Sequence, residues 1–257
     1  MTTDSSGEGV TPTEQPLFRF GDPAERYEGV VHSLLLIVVA FLVSGVVVGV
    51  GNGLLEASGL STPITTELVP TALHFAAFIA VSVLYLEVRN DRSLIGLSVP
   101  DRRDIAVGVL GTGALVGTML ASQYVLSAYG VELAENTAVE SGRSNPELFL
   151  YYIPLVLFLN VPGEELLFRG VVQGLFRRAY GVVPGILAAG AIFGAIHYVA
   201  LLSQGSAMAY VAIAVLSGII LGAVYEFTGN ILVPIAVHAV WNIVVYLNLY
   251  AETAGTF

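Results

Sequence analysis

Asn160-Val-Pro-Gly-Glu-Glu-Leu-Leu-Phe-Arg169 sets two adjacent glutamates and an arginine inside an apolar run, 148–176, that is long enough to cross a bilayer. Charged side chains at membrane depth cost several kcal/mol each unless they are paired, protonated or facing a wet cavity. A chain that keeps three of them there holds them for chemistry, provided that the run does lie in a membrane. The rest of the sequence decides that point.

Six further apolar stretches flank this one, near 30–50, 68–86, 105–126, 182–202, 208–225 and 231–250. About 20 residues of helix span the hydrocarbon core. Runs this long and continuous do not suit barrel strands, which are short and alternate apolar with polar residues. Hydrophobic residues make up 55% of the 257, and charged residues only 12%. The mean hydropathy is +0.79. Soluble domains carry about 25% charged residues. The expected fold is all-α, a polytopic transmembrane helix bundle of about seven spans, with room for an eighth, short helix in 130–146 or 90–104.

The chain divides into four parts on this reading. Residues 1–29 form a polar, acidic tail, expected to be disordered, and lack the basic start and short apolar core of a cleavable signal. Residues 30–146 hold three N-terminal transmembrane helices and their loops, 147–250 hold the polar motifs, and 251–257 are a short C-terminal tail. There is no cysteine, which excludes disulfides, thiolate metal sites and lipid attachment at cysteine. The net charge is −10, no basic cluster exists to neutralise phosphates, and nucleic acid is excluded as a partner.

All ten basic residues are arginines. Counting alternate connections, one side holds Arg19, Arg26, Arg89, Arg92, Arg102, Arg103, Arg177 and Arg178, and the other holds Arg143. This bias places the N-terminus in the cytoplasm of a multi-pass plasma-membrane protein. Since 148–176 then runs inward and ends at Arg177-Arg178, the glutamates are expected in the cytoplasmic half, reached from the cytoplasm. Pro162-Gly163 removes a hydrogen bond and loosens the backbone, so a kink is expected just before them.

Three groups of polar residues fall in separate apolar segments. Glu165 and Arg169 lie one turn apart on a helix and should pair, while Glu164 points about 100° away. Glu164 is left to face a cavity, one turn after Asn160, as a carboxylate able to take and return a proton. A structural charge pair would account for Glu165 and Arg169 but not for the second glutamate. Phe193-Gly-Ala-Ile-His197 and His238-Ala-Val-Trp-Asn242 are the other two groups, the latter with both polar side chains on one helix face. Interhelical hydrogen bonding alone would satisfy either histidine. His32 and His74 read as structural or interfacial, and Glu67 and Glu226 as solvated segment ends. Tyr198 and Gln173 read as cavity lining. The pairs Gly45/Gly49, Gly113/Gly117, Gly190/Gly194 and Gly218/Gly222 read as close helix packing.

Glu-Glu-x-x-x-Arg, Phe-x-x-x-His and His-x-x-x-Asn, in this order on three helices, resemble the CPBP family of intramembrane metalloproteases, which includes the type II CAAX prenyl endopeptidases and the Abi proteins. The similarity covers about residues 147–250. It implies an active site of Glu164, Glu165, His197, His238 and Asn242, supported by Arg169 and Phe193. The implied reaction is hydrolysis of a peptide bond in a membrane-associated protein or peptide substrate within the lipid bilayer. Glu164 would act as base, His197 would hold the water, and His238 and Asn242 would donate to the oxyanion. Glu164, His197 and His238 could also supply three ligands to a divalent metal such as zinc, with water as the fourth. A proton-coupled transporter using the same groups, or a non-catalytic immunity or scaffold protein, are the alternative readings.

Overall fold

The computed structural model describes residues 16–202 and 205–255. The expected disorder of 1–15 and the final residues 256–257 of the C-terminal tail lie outside them. The described residues form helices joined by loops, with one pair of two-residue strands. Helix α1 spans Pro23–Ala57, α2 Thr65–Arg89, α3 Arg102–Tyr129, and the short α4 Thr137–Ser144. Residues 147–180 form α5 in consecutive α and π pieces, followed by α6 at Val182–His197, α7 at Ala207–Thr228 and α8 at Leu232–Thr253.

Six of these helices, α1 to α3 and α6 to α8, are long and apolar enough to cross a membrane. The expected count of about seven included 148–176. That run is helical throughout, but Asn160, Pro162, Glu164, Glu165 and Arg169 dilute its apolar character. The short additional helix appears as α4, and a 3-10 turn, Arg92–Leu94, lies in the other loop named for it.

Local sequence explains where the helices begin. Asp22 accepts from the Glu25 N–H at 2.9 Å and Glu25 accepts from the Asp22 N–H at 3.1 Å, with Pro23 at the first helical position. This capping box starts α1 at Pro23, inside the segment read as tail. Asp101 and Asp104 cap α3 in the same way.

The loops gather at two ends. At one, Arg19 N–H donates to the Tyr180 carbonyl at 2.9 Å, Arg178 grips Asp91 at 2.7 and 2.8 Å, and Ile231 N–H donates to the Gly96 carbonyl at 2.9 Å. Arg89 pairs with Glu28 there as well. The N-terminal segment and the connections after α2, α5 and α7 therefore share one face, which carries the eight arginines counted above. At the other end strand β1, Glu135–Asn136, pairs antiparallel with β2, Leu201–Leu202, beside α4 and Arg143.

Helix α5 is the centre of the bundle, packed by α2, α6 and α8, while α3 lies against α7 and α8. Its buried face, Leu167, Phe168, Val171, Val172 and Leu175, joins Phe78 and Phe193 in the largest apolar cluster. Helices α6 and α7 approach most closely where small residues allow it. A Cβ on Gly218 would lie 2.9 Å from the Gly190 Cα, and one on Gly194 2.7 Å from the Val215 nitrogen. Gly45, Gly49, Gly113 and Gly117 instead face open space, so those two pairs do not serve packing within the described residues.

Candidate active site

The polar stretch sits where α5 changes its winding. Wide π turns at Val156–Asn160 and Leu166–Gln173 bracket the α-helical Val161–Glu165. Pro162 has no N–H to give to the preceding turn, and a π turn absorbs the resulting mismatch. The expected irregularity is thus present on both sides of the glutamates rather than as one kink. Gly163 lets α2 close on this turn, since a Cβ there would stand 3.0 Å from the Phe75 carbonyl oxygen.

Glu165 and Arg169 form the expected i, i+4 ion pair, Nη1 to Oε1 at 3.1 Å, with both side chains almost wholly buried. Arg169 also donates to the Gly218 carbonyl at 3.3 Å, and its guanidinium lies 4.4 Å from the centre of the Phe193 ring. A charge buried this deeply needs each of these partners. Glu165 Oε1 then accepts from His238 Nδ1 at 2.7 Å across the α5–α8 interface. Because the carboxylate accepts, the proton sits on Nδ1, and Nε2 is left free. That nitrogen faces Glu164 Oε2 at 3.7 Å, a separation one water can bridge.

Glu164 is held from its other side. Asn160 Nδ2 donates to Glu164 Oε1 at 3.4 Å, and Asn242 Nδ2 donates to Asn160 Oδ1 at 3.3 Å. The chain Asn242, Asn160, Glu164 joins α8 to α5 independently of His238. Asn242 thus touches Asn160 and at the same time borders the cavity. Asn160, placed by the sequence one turn before Glu164 but given no role there, is the group that touches it.

Glu164, His197, His238 and Asn242 all line one cavity of about 1080 Å³. Glu165 and Arg169 do not line it and lie behind its wall. His197 Nδ1 donates to the Phe193 carbonyl of its own helix at 2.7 Å, which leaves Nε2 to accept. Phe193 separates the polar groups, its ring 4.5 Å from that of His197 and 6.0 Å from that of His238. Tyr210 also lines the cavity; its hydroxyl accepts from Asn136 at 3.0 Å, so its own O–H is free to donate inward. No motif pointed to it.

The proposed metal ligands do not converge. Among the described residues no three His, Asp or Glu side chains form a group able to hold a metal ion, Glu164, His197 and His238 included.

Several other expectations are corrected by burial. Glu226 is not a solvated end: it is buried, with Arg177 at 3.2 Å and Gln173 donating to it at 2.8 Å. Gln173 belongs to that cluster and not to the cavity, and Tyr198 is exposed outside it. Glu67 lines the cavity and accepts from Tyr152 at 3.4 Å. His32 and His74 are hydrogen-bonded to Tyr85 and Ser44, in keeping with structural roles, although His74 also borders the cavity.

Access to the site is the larger correction. The cavity is lined by Tyr152 to Glu164 of α5, by Tyr210 to Leu221 of α7 and by His238 to Glu252 of α8. Those portions all lead to the arginine-poor end. Towards the arginine-rich end the way is filled by buried Arg169 and Gln173 and by the Arg177–Glu226 pair. The approach expected from the arginine-rich side rests on the closeness of Glu164 to Arg177 along the helix, and the buried side chains between them close that way.

Comparison with known proteins bears on the segment that holds these residues. Residues 146–244 match the family described as Type II CAAX prenyl endopeptidase Rce1-like. The "Uncharacterized protein YpbD" of Bacillus subtilis (strain 168) is 30% identical over 168 residues, which cover 64% of this chain and 77% of that protein. No solved structure matches this chain.

Proposed function

The chain belongs to the Rce1-like type II CAAX prenyl endopeptidase family, and we propose that it is an intramembrane endopeptidase that cuts a membrane-associated polypeptide. The observation that carries this reading is the facing pair at the cavity wall, Glu164 Oε2 and His238 Nε2 at 3.7 Å. Each has its far side fixed, Glu164 by Asn160 and His238 by Glu165. A water in the cavity beside this pair, within reach of both, can give its proton to Glu164 while its oxygen attacks the carbonyl carbon of the scissile bond. Breaking the C–N bond of the tetrahedral intermediate returns that proton from Glu164 to the departing nitrogen. The products are a carboxyl group and an amine, and the enzyme is regenerated.

The remaining residues fit supporting parts. Glu165, held by Arg169, keeps His238 in the tautomer that leaves Nε2 facing the water, the logic of a carboxylate-oriented imidazole. Tyr210 has an unused O–H available to a developing oxyanion, and His197 has an unused Nε2 available to hold water. A metal ion in this cavity would supply Lewis-acid activation of the water. The candidate ligands as arranged do not fit one.

New protein N-termini in membranes of cells making the wild type or Glu164→Ala at equal level test the reading. Termini found only with the wild type are the expected result, and they name the substrate. Indistinguishable sets under several growth conditions would replace the peptidase with a transport or scaffolding role.

A further inference from the structure

The peptidase reading leaves the substrate and its side of approach open, and the cavity bears on both. It extends from Glu164 only towards the end of the bundle that carries β1, β2 and α4, as the lining portions of α2, α5, α7 and α8 show. The opposite end carries Arg19, Arg26, Arg89, Arg92, Arg102, Arg103, Arg177 and Arg178, and arginine-rich ends are retained in the cytoplasm. The site therefore opens away from the cytoplasm.

The lining has one sign of charge. Glu67, Glu164 and Glu252 border the cavity, and none of the chain's arginines does. Glu132, Glu140 and Glu147 lie around the same end, where Arg143 is already paired with Glu135 at 2.8 Å. Most of the other lining residues are apolar, including Phe75, Leu115 and Trp241. A low-dielectric cleft lined by one sign of charge attracts the opposite sign and repels its own. Acidic residues near the cut would find no cation to pair with.

Resting on the peptidase reading, we propose that the substrate is an apolar segment at the extracytoplasmic face of a membrane-anchored polypeptide, bearing neutral or basic but not acidic residues beside the cleaved bond. Two measurements test it. The first does not depend on catalysis and uses the absence of native cysteine. Val131→Cys, at the cavity rim, and Val99→Cys, exposed at the arginine-rich end, are treated in intact cells with a membrane-impermeant maleimide. Labelling of Val131→Cys in intact cells, with Val99→Cys labelled only after lysis, is expected; any other pattern overturns the assigned side.

The second uses the wild-type-only N-termini described above. They are expected on extracytoplasmic segments, and a Lys→Glu change beside a mapped cut should slow cleavage about tenfold or more. Cuts on cytoplasmic or acidic segments overturn this inference while leaving the peptidase intact. If no wild-type-only termini exist, the peptidase reading falls, and the substrate assignment falls with it.

Discussion

His238 stands between two glutamates, its Nδ1 2.7 Å from Glu165 Oε1 and its Nε2 3.7 Å from Glu164 Oε2. The two carboxylates are neighbours in sequence but differ in what surrounds them. Glu165 is wholly buried and tied to Arg169, while Glu164 lines the cavity. Glu164→Gln should therefore lower the cleavage rate by about 10²–10⁴ and leave thermal stability nearly unchanged. Glu165→Gln should lower both, because it also strips Arg169 of its counter-charge. Rates and unfolding midpoints measured on the same detergent-solubilised samples separate the two. Equal stability losses would contradict the division of roles.

Arg169 is the most deeply placed cation of the chain, 1% exposed, and its loss leaves Glu165 as an uncompensated buried charge. Arg169→Met is expected to destabilise by about 3–5 kcal/mol. Adding Glu165→Gln should restore part of that, since the stranded charge is then gone. Unfolding of the single and double variants in denaturant reads the difference, and identical midpoints would argue against a coupled pair.

The sequence showed this pair and could not show its third member. Glu165 and Arg169 are four apart on one helix, and helical geometry alone brings them together. His238 reaches Glu165 only because α8 packs on α5, a contact between residues far apart in the chain that spacing does not encode. The same limit applies to Glu226, which hydropathy leaves at the edge of a span while Arg177 and Gln173 enclose it. Sidedness divided differently: the arginine count sorted the loops into the two ends that the fold builds. It could not settle which end the cavity faces, because that depends on which half of α5 is closed by side chains, here its own Arg169, Gln173 and Arg177 with Glu226 of α7.

Asn242 and Asn160 form a relay to Glu164 through amide hydrogen bonds of 3.3 and 3.4 Å. Each alanine variant should lower kcat by about tenfold with little change in KM, since neither changes the pocket's charge. Because both act along one chain of contacts, the double variant should be no worse than the poorer single one. Multiplying losses would mean that Asn242 acts independently of Asn160.

Asp91 joins the connection after α2 to the end of α5 through both oxygens, with Arg178 at 2.7 and 2.8 Å. Burial alone would raise its carboxyl, but the hydrogen bonds and charge of Arg178 outweigh it and hold the group below its ordinary value. A depressed carboxylate stabilises the fold above its ordinary pKa, near 4, and loses that contribution as pH falls through the lower folded value. The wild type should lose midpoint temperature in that acid range more steeply than Asp91→Asn. Because the pair is partly exposed, high salt should narrow the gap. Parallel acid profiles at low salt would show that the contact carries no such linkage.

Gly218 serves two contacts at once. A Cβ there would lie 2.9 Å from the Gly190 Cα and 3.1 Å from its carbonyl oxygen, and the Gly218 carbonyl accepts from Arg169 at 3.3 Å. The obstructing atoms are backbone, which cannot rotate away, so Gly218→Val must move α7 from α6 and carry the Arg169 acceptor with it. A loss of about 1–3 kcal/mol is expected, as for other overpacked sites. Activity should fall with it, because Arg169 fixes Glu165 and Glu165 fixes His238. Gly117→Ala provides the contrast, since nothing stands within 4 Å of that position and alanine favours the helix by about 1 kcal/mol. If Gly218→Val keeps wild-type stability while cleavage falls, the glycine acts through Arg169 alone; if both survive, the α6–α7 approach is looser than these distances require.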